Sequence, residues 1–353
     1  MAGKKTGKLS LVQASRGLAI LFVLIGHVNI LFYSRYEYDW FDMGRWERTG
    51  GVDFFFVVTG FMIYYLYHRH IGNSKKATGF LLKRLIRIFP MLWIFTVLAA
   101  ALYNFVPGIG NSYSAEVVLK SLILYPMKEP VLSSAWSLSH VVFFYLIFSC
   151  LMFSPRIFKP AAAVWALITV VLEVFFRDSF SSFFFSFSTL EIVAGSLVAY
   201  MMLTYRLGYS TLLIYLGLSG YLTNWLNYIF SYTEIHAPLL YCISAMLIML
   251  GISIKDRTSR EIPRSISFIG DASYSIYITH GPLLQLYLFI YEKMHIVEAA
   301  GYFLSMCIII ISTVLSACII YKSIEKPMSQ KLRQLAFGKS ERNRAVQSMA
   351  KTS

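Results

Sequence analysis

The apolar residues of this chain lie in blocks of about 16 to 24, divided by short polar stretches, and follow no period of two or 3.6. A bilayer core about 30 Å thick takes about 20 apolar residues per helix, so each block has the length of one crossing. Of 353 residues, 57% are hydrophobic and 14% charged, whereas a soluble protein carries roughly 25% charged residues. That balance excludes a soluble enzyme, a disordered protein and a disulfide scaffold. The expected fold is an all-α polytopic membrane protein with about ten transmembrane helices. They are placed at 11–33, 51–67, 86–103, 133–154, 157–176, 181–203, 209–230, 236–254, 271–291 and 300–321.

Orientation follows from the basic residues, because Lys and Arg accumulate in cytoplasmic loops. With the N-terminus inside, the outside loops hold only Arg35, Arg45, Arg48, Lys120, Lys128, Arg177 and Lys293, and Arg16 falls inside the first span. All the other basic residues of the 32 lie on the inside. Both termini are therefore expected in the cytoplasm. Residues 1–325 form one membrane domain and 326–353 a basic cytoplasmic tail at the anionic inner leaflet. The net charge of +14 is spread loop by loop and forms no nucleic-acid stripe. The lipid bilayer is the expected partner and nucleic acid is not. The four cysteines have no CxxC spacing, so no metal site is expected. The first block, about 23 residues, is too long for a cleaved leader.

Ionisable groups inside a bilayer are costly and point to function. The first span carries Arg16 and His27. Eleven residues apart, they share one helix face and are separated by about 16 Å along the axis. Asp53 opens the second span at a depth comparable to His27. It has two readings: a helix cap, or a carboxylate that fixes the imidazole tautomer. Arg84 and Arg87, in the segment KRLIRIFP, stand at the same membrane face as Arg16. They read either as topology anchors or, with Arg16, as three guanidiniums able to grip the phosphates of a nucleotide-bearing donor. Trp136, Ser137, Ser139 and His140 begin the fourth span, where His140 is either a proton-transfer group or an interfacial residue. Glu173 and Glu191 are further in-membrane acids, and Asp271 reads as an acid at a helix N-terminus.

Taken in order, these blocks resemble the integral-membrane acyltransferase-3 family, whose members O-acylate bacterial glycans. The resemblance rests on Arg16 and His27 at an R-x10-H spacing, GVDFFFVVTGF at 51–61, KRLIRIFP at 83–90 and AWSLSHVVFFY at 135–145. It continues through LEIVAGSLVAY at 190–200, SFIGDASYSIYITH at 267–280 and IEKP at 324–327. Each block is weak alone; seven in sequence are specific and cover nearly the whole chain.

The resemblance implies transfer of an acyl group, most often acetyl, from cytoplasmic acyl-CoA to a hydroxyl of a cell-surface or lipid-linked glycan at the bacterial inner membrane. It implies His27 as general base or acyl carrier, Asp53 as its partner, and Arg16, Arg84 and Arg87 on the donor. Trp136, Ser139 and His140 are expected near the acceptor. Self-association is compatible with the sequence and not specified by it. No extra hydrolase-like domain is expected after IEKP. Two positions depart from the family pattern. Thr59 replaces a usual Ser and keeps a hydroxyl. Val141 replaces a usual Glu, and valine can neither move a proton nor accept a hydrogen bond. Val141 is expected at the depth of His27, which makes poor turnover, and a gain on Val141→Glu, the expectation. The rival readings are a transporter or flippase with a proton path, and an inactive scaffold in polysaccharide assembly.

Overall fold

The computed structural model describes residues 9–176, 179, 182–234, 236–258 and 263–338. Arg177, Arg260, residues 1–8 and the tail beyond Gly338, all used in the charge argument, lie outside the described residues. The helices are α1 (Ser10–Tyr36), α2 (Gly51–Tyr67), α3 (Ser74–Phe105), α4 (Ala115–Leu122), α5 (Ala135–Phe153) and α6 (Pro155–Phe175). They continue with α7 (Phe187–Thr204), α8 (Ser210–Phe230), α9 (Ala237–Thr258), α10 (Arg264–Lys293), α11 (Ile296–Ile320) and α12 (Lys326–Phe337). No strand occurs among the described residues. A helix of each expected span is present. By length and composition, eight are apolar enough to cross a membrane; α8 and α10 are not among them. The reason in α10 is a row of polar residues, including Asp271, Ser273, Ser275 and His280, turned toward the interior.

Several boundaries differ from the sequence reading. Helix α3 starts at Ser74, twelve residues before the expected span. Ala77 and Phe80 are buried while Lys75 and Lys76 stay exposed, so an amphipathic turn extends the helix below its apolar run. Arg84 and Arg87 consequently project from a rigid helix and not from a loop. Helix α10 likewise begins at Arg264, which puts Asp271 two turns inside it. There Asp271 accepts a bond from Gln13 Nε2 at 2.7 Å and caps nothing. The short helix α4 lies in a stretch read as loop; Ser114 caps it by accepting from the Val117 N–H.

Lipid tails are as apolar as leucine, so helices in a membrane associate through close packing and small residues. The main pairs are α2 with α7, α8 with α9, α1 with α10 and α10 with α11. A Cβ added to Gly60 would lie 1.7 Å from the Ile192 carbonyl oxygen, and one on Gly195 would lie 1.9 Å from that of Val57. The α2 and α7 backbones therefore touch, and this register sets Asp53 beside Glu191. On the other side, a Cβ on Gly270 would lie 1.9 Å from the Gln13 carbonyl oxygen, which locks α1 against α10. Helix α6 buries only Thr169 and stands at the periphery.

This contact carries a prediction. Gly60→Ala forces α2 and α7 apart, and overpacking of this kind costs about 1–3 kcal/mol. The variant is expected to unfold at a lower temperature in detergent than the parent. An unchanged Tm would mean that the backbones do not meet there.

Candidate active site

Two cavities flank the face of α1 that carries Arg16 and His27. The first lies toward the start of α1, has a volume of about 80 Å³, and is lined by Arg16, Thr59, Arg84, Arg87, Val141 and Tyr274. Arg16 donates from Nη2 to Ser273 Oγ at 3.0 Å and from Nη1 to Gln13 Oε1 at 3.3 Å. The Arg84 guanidinium lies 5.0 Å from the Tyr67 ring centroid, and its buried Nε has no partner. Tyr274 donates its hydroxyl to the Ile88 carbonyl at 2.6 Å, tying α10 to α3 two residues before Pro90. Two acids stand behind the cluster: Asp271, bonded to Gln13, and Glu325. Residues Tyr321–Glu325 form a π-helical turn between α11 and α12, and Glu325 is turned inward to accept from Ser275 Oγ at 2.5 Å. Such turns recur at functional sites.

The second cavity, about 170 Å³, is lined by His27, Arg48, Asp53, Trp136, Glu191 and Tyr277, among others. The segment after α1 builds its rim. Helix α1 stops where Glu37 takes a left-handed conformation (φ 53°). The chain then folds back because buried Asn29 accepts the Trp40 N–H at 2.5 Å and Asp39 accepts the Gly44 N–H at 2.7 Å. That return carries Arg48 to Asp53, where Nη1 donates to Oδ1 at 2.9 Å. Burial acts to lower the Arg48 pKa, but the attraction of Asp53 and Glu191 outweighs it and holds the group above its ordinary value. Glu191 is fully buried, and neither carboxyl oxygen has a donor among the described residues.

His27 itself is half-buried. Its closest ring neighbour is His280, with centroids 4.8 Å apart. His280 Nδ1 is bonded to the Tyr277 carbonyl at 2.7 Å. A carbonyl only accepts, so Nδ1 carries the proton and Nε2, buried and unpartnered, is the free nitrogen.

Between the cavities is a single aromatic layer. Phe55 lines the first cavity and Tyr277 the second, and their rings stack with centroids 5.3 Å apart. Ser137 and Tyr277 share a hydrogen bond through their hydroxyls.

The structure brings Arg16, Arg84 and Arg87 into one cavity, and His27, Asp53 and Trp136 into the other. It separates the rest. Asp53 pairs with Arg48, and no bond joins it to His27. Val141 lines the arginine cavity, across the aromatic layer from His27; equal depth along the helices did not place them at one cavity, because Val141 faces α2 and α3. Ser139 spends its hydroxyl on the Leu124 and Ala135 carbonyls. His140 bonds Thr189 Oγ1 at 3.0 Å and stacks on Phe183. Both therefore brace α5 and stand outside the cavity. Glu173 pairs with His236 at 2.9 Å, away from the site. Four lining or neighbouring residues had no site role in the sequence reading: Arg48, Glu191, Tyr277 and His280. Glu191 was already named as a costly in-membrane acid, without a role, and His280 could have been weighed on the same ground; Arg48 could not, because it read as an ordinary loop cation.

A family sequence model described as an acyltransferase domain, of type 3, matches residues 12–322. The exopolysaccharide production protein ExoZ of Rhizobium meliloti (strain 1021) is 27% identical over 314 residues, covering 81% of this chain and 94% of that protein. No solved structure matches the chain.

Proposed function

The chain belongs to the type 3 membrane acyltransferase family, and from that premise we propose that it moves an acetyl or similar acyl group from cytoplasmic acyl-CoA to a hydroxyl of an extracellular polysaccharide. The observation that carries this reading is the pair of cavities on one face of α1. One is cationic, the other holds an imidazole, and one aromatic layer divides them. A family likeness to an exopolysaccharide production protein supports a glycan as the acceptor.

The donor phosphates lie at Arg16, Arg84 and Arg87, where guanidinium forks match phosphate oxygens. The pantetheine arm then runs along α1, over the about 16 Å that separate Arg16 from His27, and the Phe55–Tyr277 layer parts to admit it. His27 takes the proton of the acceptor hydroxyl. The hydroxyl oxygen forms the ester bond to the acyl carbon, the carbon–sulfur bond breaks, and the CoA thiolate leaves and is reprotonated. His280 beside His27 keeps the imidazole oriented, while Arg48 and Asp53 close the charged wall opposite. In this reading the arginine end is cytoplasmic, both termini are inside, residues 1–325 are the catalytic unit, and the bilayer is the bacterial inner membrane.

The position of Val141 changes what a carboxylate there would do. Facing three guanidiniums, a glutamate pairs with them and competes with the donor phosphates. Val141→Glu is therefore expected to raise the donor KM roughly 10- to 100-fold, on the order of one charge-assisted contact, with the acceptor KM unchanged. A change confined to the acceptor KM would return position 141 to the chemistry at His27.

The test is purified protein incubated with radiolabelled acetyl-CoA and bacterial exopolysaccharide. Acid-stable, alkali-labile label on the glycan is expected. Neither label on the glycan nor CoA release would leave transport or scaffolding as the activity.

A further inference from the structure

His27 also borders a cavity that the charged array does not reach. It is about 260 Å³ in volume and lies between α1, α10 and the segment running from the end of α3 to the start of α5. Its polar side chains are Ser34, Tyr103, Asn111, Tyr113, Ser133 and Gln285, and apart from His27 it is lined, among the described residues, by no Lys, Arg, His, Asp or Glu. Ser34 donates its hydroxyl to the Leu31 carbonyl at 2.9 Å, and the walls are fixed by bonds that leave other cavity-facing groups free. Asn104 clasps Tyr113 by accepting its N–H at 2.7 Å and donating to its carbonyl at 3.0 Å. Buried Ser121 accepts the Val131 N–H at 3.0 Å. By contrast, the side chains of Asn111, Ser133 and Gln285 make no hydrogen bond to the described chain. Tyr103 and Tyr113 add two rings with centroids 5.8 Å apart.

Neutral donors and acceptors beside aromatic faces suit a ligand rich in hydroxyls and C–H edges. A uronic or sialic carboxylate would need a cation, and the lining has none. Pockets for drug-sized ligands run from about 300 to 1,000 Å³, so this one takes about a single sugar ring. Asn111 and Ser133 are exposed, which leaves the mouth open for the rest of a chain. We propose that this cavity is the acceptor site and that it holds one neutral sugar residue of the glycan, with the reacting hydroxyl at His27. Donor and acceptor then reach His27 from different sides. The assignment rests on the reading of His27 as the catalytic base, and it narrows the acceptor to an uncharged sugar.

The experiment measures binding apart from turnover. A neutral β-glucan hexasaccharide and a galacturonan hexasaccharide are titrated calorimetrically into the parent and into the Asn111→Ala, Gln285→Ala and doubly substituted proteins. Acceptor KM and donor KM are then measured on the same samples. Each lost neutral hydrogen bond is expected to weaken hexasaccharide binding and raise the acceptor KM roughly 2- to 12-fold, more in the double variant, at constant donor KM. The parent is expected to prefer the neutral sugar. Unaltered glucan binding in the double variant, or preference for galacturonan, would overturn the assignment. Weakened glucan binding in the variants, with no acetyl transfer by the parent, would keep the sugar site and remove the acyltransfer reading.

Discussion

Replacing His27 with alanine is expected to abolish glycan acylation while the protein still inserts and folds. The imidazole has no hydrogen bond to the described chain and borders both the charged cavity and the neutral one. Its removal therefore strips no buried partner, and little stability is lost. In the proposed mechanism what is lost is the group that takes the acceptor proton, worth about 10²–10⁴ in rate. His280 does not substitute for it, because it is buried and lines neither the charged cavity nor the neutral one. Label transfer from acetyl-CoA at matched expression measures the effect. A His27→Ala protein as active as the parent would remove His27 from the mechanism.

The second large effect is at the other cavity. Arg16, Arg84 and Arg87 converge there, and Arg84 retains an unpartnered Nε. Each charge-assisted phosphate contact is worth about 1.5–3 kcal/mol, or roughly 10- to 100-fold in affinity. Single alanine substitutions are expected to raise the acyl-CoA KM by that order and to leave the acceptor KM alone. Arg16 has the additional task of holding Ser273 and Gln13, so Arg84→Ala is the cleaner probe. Unaltered CoA binding after all three changes would return these residues to plain anchoring at the membrane face.

The helices were legible in the sequence because each apolar block is long enough to stand alone against a bilayer. The partial exceptions are instructive. The polar first turns of α3 are helical because Ala77 and Phe80 pack inward, a tertiary effect that hydropathy does not register. Within the site, helical spacing was enough to align Arg16 with His27, since both lie on one continuous helix. Spacing failed wherever two helices had to be turned toward each other. Asp53 and His27 share a depth and a cavity, yet Asp53 is taken by Arg48, delivered by a fold-back that depends on Asn29 and Asp39. Val141 and His27 were expected at one depth, yet an aromatic layer divides them. The α2–α7 and α1–α10 contacts are set by Gly60, Gly195, Gly17 and Gly270, and nothing in a single helix encodes which face such a glycine will turn inward.

The central claim is that the acyl group crosses from the arginine cavity to His27, so donor and acceptor act from opposite faces. Sealed proteoliposomes of uniform orientation test it, with labelled acetyl-CoA enclosed or added outside and the glycan on either side. Label is expected on the glycan only when donor and glycan are on opposite sides, with the donor at the face bearing Arg16, Arg84 and Arg87. Equal labelling with both substrates on one side would contradict it.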